Sequence, residues 1–155
     1  LTTLPTPTPP DRKLAYPWLA AEWVKDDYRE ARNQDQIERT EDFEYGWRAR
    51  AQFGYASGSF GADRRSLLFD GRVSRGVEPG PRQVLLFSAT LAGRYERGAL
   101  ADAIIGGSAR WYLRQSDRRL LYAALGLDAG RNLDPDRQIL LGGDTGLRGY
   151  PLRYQ

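Results

Sequence analysis

The stretch DFEYGWRARAQFGYA, residues 42–56, decides the fold. Its odd-numbered positions are all aromatic residues or alanine, and its even-numbered positions include Glu44, Arg48, Arg50 and Gln52. A period of two predicts a β-strand with one apolar face and one charged face. The apolar face has aromatic residues at both ends and alanines between them, which is typical of rings that lie in two membrane interfaces. These aromatic residues are Phe43, Tyr45, Trp47, Phe53 and Tyr55.

The same alternation recurs in residues 83–97, 103–115 and 118–130, and less regularly in residues 16–28 and 65–77. Strands of about 11–15 residues exceed the usual five or six and suit a tilted membrane crossing. Charges on the apolar faces lie near strand ends, away from the bilayer midplane, where a charge costs ~2–4 kcal/mol. We therefore predict an all-β antiparallel meander of about six long strands, part of a larger transmembrane β-barrel. A water-soluble sheet alternates in the same way and stays open as an alternative.

Arginine dominates the faces opposite the apolar ones. The arginines predicted to face the lumen of the barrel are Arg48, Arg50, Arg72, Arg94, Arg110 and Arg114. Such a cation-rich lining would attract anionic or extended polypeptide cargo. Alternatively, these charges pair across strands with acidic residues and fill the interior of the barrel.

Composition excludes several classes of chemistry. The 155 residues include 23 Lys plus Arg against 20 Asp plus Glu, an excess too small for a dedicated nucleic-acid binder. The absence of Cys and His excludes disulfides, thiolate nucleophiles, cysteine-ligated zinc and histidine-based triads. The adjacent carboxylates Asp26-Asp27 and Glu41-Asp42 would point to opposite faces of a strand. We expect no enzymatic activity, no catalytic residue, no metal and no cofactor.

The chain divides into three regions. Residues 1–14 are rich in proline, which cannot donate to a sheet ladder, and are predicted to form a loop or linker. Residues 15–130 are predicted to contain the barrel strands and their hairpin connections, with 29–40 as one long connection. Residues 131–155 are predicted to form a long loop. The first residue, Leu1, and the absence of Met lead us to expect a piece of a longer protein.

The last region concentrates glycine around a single arginine. Glycine allows the backbone to turn sharply and to approach another surface closely. The guanidinium of Arg148 would therefore project from a thin loop tip and suit a bidentate bond to a carboxylate. The residues concerned are Gly142, Gly143, Asp144 and Gly146, followed by Leu147, Arg148, Gly149 and Tyr150.

This motif resembles the arginine–glycine–aromatic motif of the bacterial surface-antigen barrel superfamily. That superfamily includes the barrel-assembly-machinery protein of the outer membrane and the transporters of two-partner secretion. The resemblance spans roughly residues 16–155, and its specific part is the final glycine-rich motif. It implies a sixteen-stranded barrel in the bacterial outer membrane, with the motif at the tip of a loop that folds back inside.

The resemblance also implies roles for the residues of the motif. Arg148 would meet an acidic residue of the inner wall, Gly149 would allow close approach and Tyr150 would pack beside the arginine. Leu147 stands where the family often has valine. The acidic partner in the family lies on a later strand, and the family's polypeptide-transport repeats are absent from these residues. Asp70 and Asp128 face the predicted lumen, but no feature of the sequence pairs either of them with Arg148.

We therefore expect a segment of an outer-membrane protein that assembles or translocates other polypeptides. Its partners would be the lipid bilayer and unfolded or secreted polypeptide cargo, with no nucleic acid. The remaining barrel strands, or another copy of the chain, would pair the edges of the sheet. A passive, anion-preferring outer-membrane pore and a soluble β-sheet binding module stay open as alternatives.

Overall fold

The computed structural model describes residues 11–32, 40–116, 118–135 and 137. The strands are β1 (Trp18–Val24), β2 (Tyr28–Arg32), β3 (Thr40–Glu44), β4 (Arg48–Ala56), β5 (Ser66–Val77), β6 (Gln83–Glu96), β7 (Ala99–Ser116) and β8 (Arg119–Arg131). Six of them form one antiparallel sheet in the order β1-β4-β5-β6-β7-β8, and β2 pairs separately with β3. The predicted all-β antiparallel meander of six strands is confirmed, and the sheet is not closed in the described residues.

The first hairpin is longer than the sequence predicts. The register that pairs β1 with β4 continues without a shift into the pairing of β2 with β3. Between the two pairs, the amide of Lys25 donates to the carbonyl of Trp47 at 2.8 Å. The prediction of one long connection over residues 29–40 is therefore wrong, because β2 ends at Arg32 and β3 begins at Thr40. Residues 33–39 lie outside the described residues.

The register defines two faces of the sheet, because residues directly opposite each other on neighbouring strands share a face. Odd-numbered residues form one face in every sheet strand, apart from a few residues at the ends of β7. We call it the apolar face, after members such as Leu19, Phe53, Leu91, Ile105 and Leu125. The opposite face carries all six arginines that the sequence singles out, and we call it the arginine face.

The buried residues of this sheet lie on the arginine face, although some residues of that face, such as Arg50 and Arg72, are exposed. Leu19, Leu125 and Leu127 on the apolar face keep 78%, 72% and 71% of their surface exposed. A water-soluble antiparallel sheet shows the reverse arrangement, with its apolar face covered and its polar face bare. All described strand residues that are buried lie on the arginine face: Gly54, Ala56, Ser66, Gly76, Val84, Arg94, Asp102, Gly106 and Tyr112.

A small hydrophobic cluster of Tyr45, Val84 and Tyr112 lies on the arginine face, with Leu86 and Leu120 packed against it. The sequence places Tyr45 on the apolar face with its odd-numbered neighbours, and this prediction is wrong. The carbonyl of Asp27 accepts hydrogen bonds from the amides of Tyr45 and of the next residue, at 2.7 and 3.2 Å. This shared acceptor marks a local irregularity over residues 45–47, between β3 and β4, and there Tyr45 packs on the other face. No helix in the described residues is long and apolar enough to cross a membrane.

Candidate functional site

The six predicted arginines share a face but do not form one site. Arg48 donates to the hydroxyl of Tyr28, and Arg50 donates to the Oε1 of Gln52, each at 3.4 Å. Arg72 lies directly opposite Arg50 in the register. Arg110 and Arg114 lie on β7, opposite Leu86 of β6 and Leu120 of β8 respectively. Among the six, Arg94 is the buried one, at 7% exposure, and it lies at the end of β6 among carboxylates.

A bulge in β7 brings a carboxylate to Arg94. Ala92 pairs with Ile104, but Arg94 pairs with Ala101, so β7 has one extra residue at this point. Asp102 takes a positive φ of 49°, a left-handed conformation that aspartate adopts more readily than most residues. The bulge turns its side chain toward the arginine face, where its Oδ2 lies 3.4 Å from the Nη1 of Arg94. Asp102 is only 6% exposed.

After β8 the chain turns back over the arginine face. The carbonyl of Asn132 accepts from the amide of Asp102 at 2.7 Å, and the side-chain amide of Asn132 donates to the carbonyl of Leu100 at 2.8 Å. Asp134 then accepts two hydrogen bonds from Arg94, at 2.7 and 3.2 Å. Arg137 donates to the Oδ2 of Asp102 at 2.7 Å. We call residues 132–135 and 137 the return segment.

The chain before β1 reaches the same end of the arginine face. We call residues 11–17 the entry segment. Its Arg12 forms an ion pair with Asp134 of the return segment. The carbonyl of Lys13 accepts from the amide of Asp63 at 3.1 Å, which fixes the entry segment to the loop between β4 and β5. The ring of Tyr16 lies over Gly54, where a β-carbon would come within 2.5 Å of it.

These contacts form a charge cluster that joins the wall of the sheet to both segments. It contains Arg12, Arg64, Arg94, Arg137, Glu96, Asp102 and Asp134. Removing charges from water is costly, and short contacts with opposite charges offset that cost. Arg94 illustrates the balance, because its buried Nε has no hydrogen-bond partner among the described residues but lies 3.6 Å from a carboxylate oxygen of Glu96. Glu96 also accepts a hydrogen bond from the Ser66 hydroxyl at 3.0 Å.

Arginine partners lower the pKa of two carboxyl groups, one in the cluster and one in the neighbouring loop. The hydrogen bonds from Arg94 lower the pKa of Asp134 below its usual value, burial opposes this change, and Arg12 contributes in the same direction as Arg94. The hydrogen bond from the Arg64 side chain lowers the pKa of Asp63, an exposed residue of the β4–β5 loop. Asp134 therefore stays ionised, and paired with both arginines, across the neutral range.

A groove of about 200 Å³ lies beside the cluster. It is bounded by Leu14 and Tyr16 of the entry segment, by Asp70 and Arg94 of the wall and by Arg137 of the return segment. Within the described part of the chain, no group of three or more acidic side chains is placed to hold a metal ion. The ion pairs of the charge cluster bind and position the entry and return segments on the sheet.

The sequence predicts Arg94 as a site residue but does not predict its partners. Asp102 precedes the predicted strand of residues 103–115, and Asp134 falls in the predicted loop. The one available signal is the even number of Asp102, a charged residue between two alanines, which matches the parity of the arginine face. Asp70 and Asp128 both lie on the arginine face, and Asp128 lies against Gly106.

The glycine-rich motif itself, residues 142–150, lies outside the described residues, so the positions of Leu147, Arg148, Gly149 and Tyr150 stay predictions. The same holds for Gly142, Gly143, Asp144 and Gly146. Comparisons with protein-family models, with curated proteins and with solved structures found no match to this chain. The resemblance to the surface-antigen superfamily therefore rests on the motif and the alternation alone.

Proposed function

We propose that this chain forms part of the wall of an outer-membrane β-barrel that assembles or translocates other polypeptides. The observation that carries the proposal is the inverted burial of the sheet. Its buried described strand residues lie on the arginine face, while large apolar side chains such as Leu19, Leu125 and Leu127 stay exposed on the other face. A bare apolar face is stable against lipid, whereas the edges β1 and β8 need further strands to satisfy their backbone groups. Additional strands of a larger barrel, or another copy of the chain, would supply that pairing.

Aromatic side chains on the apolar face support contact with a bilayer. At one end, the rings of Trp47 and Phe87 meet edge to face with centroids 6.2 Å apart, and Arg75 lies over Trp47 at 4.9 Å. At the other end, Tyr55 and Tyr95 are each 48% exposed. Tyr95 follows Phe87 by eight positions on β6, which corresponds to about 27 Å along a strand. With a strand tilt of about 40°, this is roughly 20 Å of height, close to the ~25 Å apolar band of outer-membrane barrels.

The path of the chain after β8 favours polypeptide transport over a passive pore. The return segment lies on the arginine face, where Arg94 binds Asp134 and Asp102 binds Arg137. This is the side on which the resemblance places the loop that carries Arg148. In the proposed mechanism the loop occupies the lumen, and Arg148 bonds to a wall carboxylate to stabilise one state of the path for cargo. No covalent chemistry is involved.

Two substitutions of equal exposure test the membrane contact. Leu91 and Tyr95 lie on the apolar face of β6 and are 47% and 48% exposed, but Leu91 lies nearer the middle of the strand. In lipid vesicles, Leu91→Arg should destabilise the intact protein by ~2–4 kcal/mol and Tyr95→Arg by ~0–1 kcal/mol. Urea unfolding would measure both. Equal and small effects would instead show that this face meets water, which favours the soluble binding module.

The transport role is tested at the motif. Replacing Arg148 with Ala in the intact protein should reduce cargo assembly or secretion while the amount of folded barrel stays the same. Unchanged transport at an unchanged level of folded protein would remove the role proposed for Arg148. Gly126→Ala serves as a control, because a β-carbon at Gly126 meets no atom of the described residues within 4 Å.

The passive pore has one observation in its favour. Arg50 and Arg72 lie directly opposite each other on the arginine face, and both are exposed. Like charges in this position repel each other and would attract anions to the lumen. Single-channel recording separates the two functions, because a pore would conduct steadily, prefer anions and need no protein partner. Conductance that appears only with cargo would support transport.

A further inference from the structure

Two segments that lie outside the sheet meet at one carboxylate. Asp134 of the return segment accepts hydrogen bonds from Arg94 of the wall through both of its oxygens, at 2.7 and 3.2 Å. The Oδ2 that lies 2.7 Å from Arg94 also pairs with Arg12 of the entry segment. The side chains of Arg12 and Asp134 are 15% and 17% exposed, so their contact is largely shielded from water.

Each segment also has an attachment that the other does not share. The entry segment is held by the backbone bond between Lys13 and Asp63 and by the packing of Tyr16 over Gly54. The return segment is held by Arg137, which donates to both the side chain and the carbonyl of Asp102. A change at one of these separate attachments can therefore reach the other segment through Asp134.

The groove beside the cluster lies between the two segments. Leu14 and Tyr16 line it from the entry segment, and Arg137 lines it from the return segment. In the proposed barrel, an extended chain that enters this groove would displace at least one of the two segments that bound it. Displacing the return segment moves Asp134 away from Arg12, and displacing the entry segment removes Arg12 from Asp134.

From this geometry we infer that the entry and return segments form a coupled closure over one end of the arginine face, with Asp134 as the residue that links them. Release of either segment weakens the attachment of the other, and the coupling is reciprocal because it is an equilibrium property. The further statement, that an extended polypeptide opens the closure during transport, rests on the proposed function. The coupling between the segments does not.

The absence of Cys from the sequence permits a direct test with single thiols. Leu14→Cys reports on the entry segment and Leu133→Cys on the return segment, since both side chains are partly buried. In the intact protein, Arg137→Gln should raise the rate of maleimide labelling at position 14 about fivefold or more. This effect would be indirect, because in the described residues Arg137 bonds to Asp102 and not to the entry segment. Arg12→Gln should likewise raise labelling at position 133.

Two controls keep the result interpretable. Arg72→Gln lies on the same face, outside the charge cluster, and should leave both labelling rates unchanged. A thiol introduced by Ala56→Cys, at a position with no exposed surface, should stay unreactive in every variant and so report an intact sheet. If Arg137→Gln exposes position 56, the milder Arg137→Lys replaces it in the same assay.

The outcomes separate the coupling from the proposed function. Labelling that rises at position 133 but not at position 14 in Arg137→Gln would overturn the coupled closure. Labelling that rises at both positions supports it. The double variant Arg12→Gln/Arg137→Gln should then increase the labelling rate by less than the product of the fold increases of the two single variants. If the intact protein transports no cargo while the labelling stays coupled, the proposed function fails and the coupling stays in place. Cargo transport that Arg12→Gln leaves unchanged removes only the role of the closure in transport.

Discussion

Arg94 offers the sharpest test of the charge cluster. Its guanidinium meets three carboxylates, those of Asp134, Asp102 and Glu96, at 2.7, 3.4 and 3.6 Å. Arg94→Met keeps much of the length of the side chain and removes its charge and its donors. The three carboxylates then lose the one cation that they share.

The magnitude follows from burial and from the remaining partners. Removing one partner of a buried ion pair costs about 3–5 kcal/mol. Asp134 keeps Arg12 and Asp102 keeps Arg137, so we expect the lower end, about 3 kcal/mol. A loss of that size lowers the ratio of folded to unfolded protein by roughly 100-fold.

Urea unfolding of the intact protein in lipid vesicles, followed by tryptophan fluorescence, measures this loss. Arg72→Met is the matched control, because Arg72 lies exposed on the same face and outside the cluster. It should change the free energy of unfolding by less than about 0.5 kcal/mol. If Arg94→Met lowers the free energy of unfolding by no more than Arg72→Met does, the charge cluster does not stabilise the fold.

Three further outcomes are expected. Gly46→Ala should disrupt the long first hairpin, because a β-carbon there would collide with the backbone carbonyl oxygen of Lys25. Gly126→Ala should be tolerated, and circular dichroism compares the strand content of the two variants. Tyr112→Ala, at 1% exposure, should cost ~3–5 kcal/mol in urea unfolding, while the half-exposed Tyr95→Ala should cost much less. The lowered pKa of Asp134 shows that its ionised form stabilises the folded chain. This stabilisation is fully present above the ordinary carboxyl pKa of about 4, and it is lost as pH falls further and the group is protonated. The free energies of unfolding of the native chain and of Asp134→Asn should therefore differ at pH 7, and the difference should shrink as pH falls below the ordinary carboxyl pKa of about 4. A difference that stays constant with pH would contradict the assignment.

Alternation predicted the strands well because it depends only on local sequence. The stretch predicted at residues 65–77 is β5 (Ser66–Val77), and that at residues 83–97 is β6 (Gln83–Glu96). From β4 onward each strand pairs with the next one in the chain, so the faces follow directly from odd and even numbering. The arginine face is therefore a direct consequence of the period of two.

The irregular positions do not follow from that period. The bulge at Asp102 and the turned residue Tyr45 each break the period of two, and the partner strand decides where that break falls. Asp134 lies beyond the last strand, so no periodicity reports its position. The charge cluster depends on these residues, which is why the sequence predicts Arg94 as a lumen-facing residue and not as the centre of a network.

The ion pair between Arg12 and Asp134 has a consequence for the order of folding. Its residues are 122 positions apart in the chain, whereas the strands of the hairpin at Arg97 and Gly98 are joined by two residues. Contacts with short loops form at low entropic cost, and those that close long loops form once other structure has brought their ends together. We therefore expect the pair to form last, after all six strands are in register. A chain with β8 unpaired or out of register cannot bring Asp134 to Arg12, so this contact acts as a check that the sheet is complete.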